Sequence, residues 1–186
     1  NGQVILVNPH GIIFTATSVI NAGGILASGL TIDTSEFMNG DFAFEAVEGA
    51  DGVIINSGLL NAATGGSVNL LGKKVINDGL IQADLGSVSL AAGNAAVVSF
   101  DADGFIGVTV TESVLQDELG LDPAILNEGE ISAAGGKVLI SAAASRDIFS
   151  AAVNTDDLKQ ATSVVMDDDG GFTLSAGANV VNTGSV

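Results

Sequence analysis

Three stretches of this chain repeat one another: VIINSGLLNAATGGSVNLLG at residues 53–72, KVINDGLIQADLGSVSLAAG at 74–93 and AILNEGEISAAGGKVLISAA at 124–143. Each runs for about 20 residues, the length of one solenoid repeat. Two aliphatics lead into Asn-x-Gly, an apolar pair or Glu-Ile follows, then a small-residue stretch with Gly, then alternating Val-x-Leu or Val-x-Ile. The frame recurs in part as SVINAGGILAS at 18–28 and NVVNTGSV at 179–186. It lines up Asn21, Asn56, Asn77, Asn127 and Asn182, each followed two positions later by Gly23, Gly58, Gly79, Gly129 and Gly184.

Asn-x-Gly between apolar residues marks a tight bend, since both residues tolerate positive φ. Taken singly, such bends suit the hairpins of an antiparallel sandwich. The fixed period decides against that, because hairpins share no common template whereas equivalent residues of a solenoid must stack at every turn. Leucine-rich repeats have the same period, but their Leu-x-x-Leu-x-Leu frame is missing. The fold expected is all-β, a right-handed parallel β-helix. Period-two alternation turns Val68/Leu70, Val88/Leu90, Val138/Ile140 and Phe172/Leu174 inward and most intervening residues outward. Stacked coils pair their strands in parallel, roughly 4.8 Å apart, and the aligned Asn and Gly residues form a turn ladder of amide hydrogen bonds. About eight coils are expected on this spacing. Val114–Leu121 and Asp156–Ala161 carry short helical signals and read as excursions from the coil. Residues 1–186 read as a single β-helix segment.

Composition fits a narrow, repetitive interior. Hydrophobic residues make up 47% but aromatics only 4%, with no Trp or Tyr, so small and β-branched aliphatics fill the core. The net charge of −17 disfavours nucleic acid and anionic membrane surfaces, and no apolar run approaches the roughly 18 residues a membrane-spanning helix needs. The sequence opens in mid-pattern with no visible signal peptide, and reads as an excised segment. No cysteine is present, which suits passage through an oxidising compartment.

Chemistry has little to work with. Without cysteine there is no thiol nucleophile, and a Ser-His-Asp arrangement would have to rest on His10, the one histidine. His10 lies in Asn8-Pro9-His10-Gly11, which reads as a surface turn between apolar strands. The acids gather at Asp101/Asp103, Asp117/Glu118, Asp156/Asp157 and Asp167-Asp168-Asp169. The last could form a calcium loop by ligand type, but lacks alternate-residue spacing and a distal Glu. No catalytic residue, metal site or cofactor is expected. The alternative is a polysaccharide-active β-helix, a lyase or hydrolase, using an Asp cluster with a base such as Lys159.

Residues 2–32, GQVILVNPHGIIFTATSVINAGGILASGLTI, resemble the filamentous-haemagglutinin-type secretion domain of two-partner secretion exoproteins. The resemblance rests on Asn8-Pro9-His10-Gly11-Ile12-Ile13-Phe14 and Val19-Ile20-Asn21-Ala22-Gly23-Gly24-Ile25-Leu26-Ala27-Ser28. GSVNLLGKKVINDGLIQADLGSVSLAAG and VVSFDADGFIGVTV follow the same course, so it covers most of residues 1–150, with 151–186 continuing the coils. His10 stands where the family has a second Asn, and the family's capping strands and an earlier Asn-Pro motif are missing. The resemblance implies a secreted, surface-bound product that transits the periplasm. It implies a partner, an outer-membrane β-barrel transporter with periplasmic docking domains, for which Asn8, Pro9, His10, Gly11 and Ile12 are the expected recognition residues. Adhesin or haemagglutinin function, and any host-cell ligand, would belong to regions downstream.

Overall fold

Short runs of Val, Ile and Leu punctuated by Gly and Asn can form only short strands, and the chain is built from these. The computed structural model describes residues 2–100, 106–112, 114–115, 123–142, 144–145, 154–155, 163–166, 172–175, 180–182 and 184–186. After β1 (Gln3–Val7), the first coil is β2 (Ile12–Phe14), β3 (Val19–Ala22) and β4 (Gly24–Ser28). An insert follows, with β5 (Thr31–Ile32), α1 (Thr34–Met38) and β6 (Ala43–Glu45). The second coil is β7 (Val53–Asn56), β8 (Leu59–Ala62) and β9 (Ser67–Gly72), and the third is β10 (Lys74–Asn77), β11 (Leu80–Gln82) and β12 (Ser87–Ala92). A second insert contains β13 (Ala95–Phe100), β14 (Ile106–Glu112) and β15 (Val114–Leu115). The fourth coil is β16 (Ile125–Asn127), β17 (Glu130–Ser132) and β18 (Lys137–Ala142). Then come β19 (Ala144–Ser145), β20 (Asn154–Thr155), β21 (Ser163–Met166), β22 (Phe172–Ser175) and β23 (Val180–Asn182).

The coils stack as a parallel β-helix with three faces. One face orders β1-β4-β9-β12-β18, the second β2-β7-β10-β16-β23-β20 and the third β3-β8-β11-β17. Val68 pairs with Val88 and Leu70 with Leu90, in parallel and in register. The inward column Ile25, Val68, Val88, Val138 is buried, as are Leu60, Ile81 and Ile131 on the third face. Burial of each such side chain contributes about 1.5–3 kcal/mol. Identical layers need identical volumes, which explains a core almost free of aromatics.

Three expectations are corrected. Among the described residues the deepest parallel stack holds six strands where about eight coils were expected, because β5, α1 and β6 of the first insert and β13 and β14 of the second leave the coil. Phe172/Leu174 lie in β22, which pairs antiparallel with β21, itself antiparallel to β18. Val114–Leu115 form a strand paired with β19, not the start of a helix; residues 116–121 and Asp156–Ala161 lie outside the described residues. A further finding is that Leu26, Leu71 and Ala91 point away from the coil interior yet are 1%, 0% and 1% exposed. The two inserts supply an antiparallel sheet, β5-β6-β13-β14, and these residues form a second core with its Phe44, Ala96, Val98 and Val108.

Candidate functional site

Asn8 to Ile12 connect β1 to β2. The backbone N–H of Asn8 still donates to Ser28 O at 2.9 Å, continuing the pairing of β1 with β4. The chain then reverses. Asn8 Oδ1 accepts the His10 N–H at 3.1 Å, and Asn8 O accepts the Gly11 N–H at 2.9 Å. Pro9 suits this bend because its fixed φ needs no N–H donor, and its carbonyl receives the Gly52 N–H from the next coil at 2.9 Å. Gly11 has φ +103°, and a Cβ there would lie 2.8 Å from Val53 O. The turn is therefore held from within and from the coil beneath. Asn8 and His10 are exposed, while Pro9, Gly11 and Ile12 are half-buried.

Exposed apolar side chains lie in the strands on either side of it and in β3. Val4, Leu6 and Val7 are 36%, 37% and 38% exposed, and the outward Ile13 and Val19 are 65% and 59% exposed. Ile13 heads a row of outward aliphatics, Ile55, Ile76 and Leu126, in register along the second face.

Inside that face lies the ladder. Asn56, Asn77 and Asn127 are in register and fully buried. Asn56 Nδ2 donates to Asn77 Oδ1 at 2.8 Å, and Asn77 Nδ2 to Asn127 Oδ1 at 2.7 Å. Asn182 follows in backbone register with Asn127. The glycines stack beside them: Gly79 and Gly129 donate to the carbonyls of Asn56 and Asn77, and Gly184 to that of Asn127. A Cβ at Gly79 would overlap the Gly58 carbonyl oxygen, and one at Gly129 that of Gly79.

Asn21 and Gly23 do not belong to this ladder, which corrects the alignment of repeats. Phe14 pairs with Asn56 and occupies the ladder position of the first coil. Asn21 lies on the third face opposite Asn61, whose Nδ2 donates to Asn21 Oδ1 at 2.8 Å. Gly23 sits at another corner, against Gly66. The VINAGG string imitates the repeat, but the first coil takes a longer bend, Thr15–Ser18, before β3. The signal that would have found Phe14 is its place after Ile12-Ile13, matching Asn56 after Ile54-Ile55.

Catalytic groups do not converge among the described residues. No group of three His, Cys, Asp or Glu there could hold a metal. A depression of about 340 Å³ is lined by Gly2, Gln3, Val4, Asn21, Ala22, Asn61 and Ala63, with no acid or base. Asp101/Asp103, Asp117/Glu118, Asp156/Asp157, Lys159 and Asp167–Asp169 lie outside the described residues.

The family model of the TPS secretion domain matches residues 1–186. Among solved structures, the crystal structure of the HMW1 secretion domain from Haemophilus influenzae is similar, with a TM-score of 0.64 and 37% identity over 76% of this chain. The chain spans 36% of that protein's chain. No curated protein sequence matches it.

Proposed function

The chain belongs to the TPS secretion-domain family, and from that premise we propose that its Asn8–Ile12 turn is what an outer-membrane transporter recognises. Membership makes the chain the secretion domain of a secreted exoprotein and implies a transporter as its partner. In the proposed mechanism the domain enters the periplasm extended and docks on the periplasmic domains of a β-barrel transporter by strand addition and apolar contact. It folds on emerging at the cell surface, where each coil templates the next. Residues 1–186 act as one unit, and an adhesin or haemagglutinin activity lies in the exoprotein's downstream regions.

One observation carries this reading. A turn fixed by three backbone–backbone hydrogen bonds and one to the Asn8 side chain stands exposed beside β1 and β2, in a coil that leaves Ile13 and Val19 in water. A solenoid needs only a bend at this point, and gains nothing from leaving Ile13 and Val19 in water. The test is to place Asn8→Ala, Pro9→Ala and Ile13→Asp separately in the full-length exoprotein. Surface yield is measured beside the melting temperature of the purified domain. Lost secretion with an unchanged melting temperature is expected, above all for Ile13→Asp, whose side chain is 65% exposed. A parallel fall in both would make the turn structural, and unchanged secretion would place recognition elsewhere.

A further inference from the structure

The two inserts leave the β-helix at different heights and meet again outside it. β6 pairs on one side with β5 of its own insert and on the other with β13, which pairs in turn with β14. Phe44 lies opposite Ala96, and Ala43 opposite Val97. Two flanking bonds complete the seam, Ala46 N–H to Asn94 O at 2.7 Å and Val98 N–H to Phe42 O at 3.0 Å. Beneath the sheet lie Leu26 from the first coil, Leu71 from the second and Ala91 from the third. One small core is thus shared by three coils and by two segments about 50 residues apart in the chain.

We propose that this sheet is a latch that locks the first three coils as one cooperative unit when β13 closes on β6. In an ordinary solenoid each coil is stabilised by its neighbours, and stability grows coil by coil. Here that growth is incomplete until the second insert arrives. Before closure β6 has an open edge, and Leu26, Leu71 and Phe44 lack the partners that bury them. Closure is a long-range event whose chain entropy must be met in one step, so it sets the folding barrier. For a chain emerging N-terminus first, which rests on the secretion reading above, the seed coils stay unlocked until β13 and β14 are outside.

The absence of cysteine makes the test clean. Ala43→Cys with Val97→Cys places a lone thiol pair on facing residues of β6 and β13, at an antiparallel spacing of about 4.5–5.5 Å between Cα atoms, within reach of a disulfide. The whole chain is refolded from denaturant with the bond formed and with it reduced. Pre-closing the latch should accelerate refolding about tenfold or more, since it removes loop closure from the barrier. Equal refolding rates, with only unfolding slowed, would mean that the inserts dock after the coils have folded, and would overturn the latch. Amide exchange in Phe44→Ala gives a second reading. Exchange should rise by a similar factor across β7–β12; a rise confined to β5, β6, β13 and β14 would overturn the proposal. If Phe44→Ala does not fold, the disulfide experiment decides alone. No transporter enters either measurement, so failure of the secretion reading would leave both results standing.

Discussion

The buried Asn77 amide is bonded to the coil on either side of it. Removing the Asn77 side chain takes away the acceptor of Asn56 Nδ2 and a donor to Asn127 Oδ1, so Asn77→Ala should cost about 1–3 kcal/mol. Thr64→Ser in an exposed loop should stay within about 0.5 kcal/mol. Denaturant titration of both checks the contrast, and equal midpoints would show that the ladder does not hold the coils. A second residue breaks the repeat's own rule. Gly65 and Gly135 turn their corners at φ +77° and +69°, but the third coil places Leu85 there at φ 55°. A left-handed conformation costs a side-chain-bearing residue roughly 1–2 kcal/mol, and Leu85 is 64% exposed, so it recovers little by packing. Leu85→Gly should therefore raise stability by about 1 kcal/mol; a lowered denaturation midpoint would contradict this. Both sites were legible once the repeats were aligned, because stacking forces equivalent residues into one environment. Asn21 was misread for the complementary reason: a matching string says nothing of how many residues precede it in its coil.

Strand faces are decided by what covers them, and here period-two alternation misleads. Leu70 and Leu71 are adjacent and both 0% exposed, one in the coil and one under the insert sheet. Each of Leu70→Ala and Leu71→Ala should cost about 2–5 kcal/mol. A near-neutral Leu71→Ala in thermal unfolding would mean the insert sheet contributes little. The coils were visible in the sequence because their pattern repeats; the insert sheet was not, because its strands come from two distant segments and repeat nothing. A trace existed in the paired apolar residues Leu70-Leu71 and Leu90-Ala91, which suit a strand covered on both faces. Helix α1 also had its signal, Asp33 followed three residues on by Glu36. Asp33 Oδ1 accepts the N–H groups of Ser35 and Glu36 at 2.7 and 3.1 Å, and the Ser35 hydroxyl as well. The Ser35 hydroxyl, then these backbone donors, hold the Asp33 carboxyl below its ordinary value. A carboxyl lowered on folding favours the folded helix above its unfolded pKa, and that preference is lost as pH falls through the lowered value. Protection factors at Ser35 and Glu36, corrected for the intrinsic pH dependence of amide exchange, should accordingly fall on acidification through that window, and in Asp33→Ala should already be low at neutral pH.

For the molecule as a whole, a charge of −17 at pH 7 keeps copies apart although the row Ile13, Ile55, Ile76 and Leu126 faces outward. Lowering the pH toward the isoelectric point of about 4.1 removes that repulsion. Light scattering should rise there, and Ile13→Asp should delay its onset; flat scattering would show that the row does not self-associate. The ladder also gives the rod two unlike ends. The Gly58 N–H donates to Asn56 Oδ1 at 3.2 Å, which fixes the orientation of that amide, since a backbone N–H can meet only its oxygen. Asn56 must then present hydrogen to Asn77, and Asn77 to Asn127. The amide dipoles of Asn56, Asn77 and Asn127 point the same way, as in a ferroelectric chain. Toward the N-terminus the series closes on Gly58, with Phe14 in place of a further amide. Toward the C-terminus each new coil must bring an oxygen to receive the hydrogen offered by the last. Extension of the column is therefore polar, since a further coil can join it in one orientation only, the direction in which the chain itself is made.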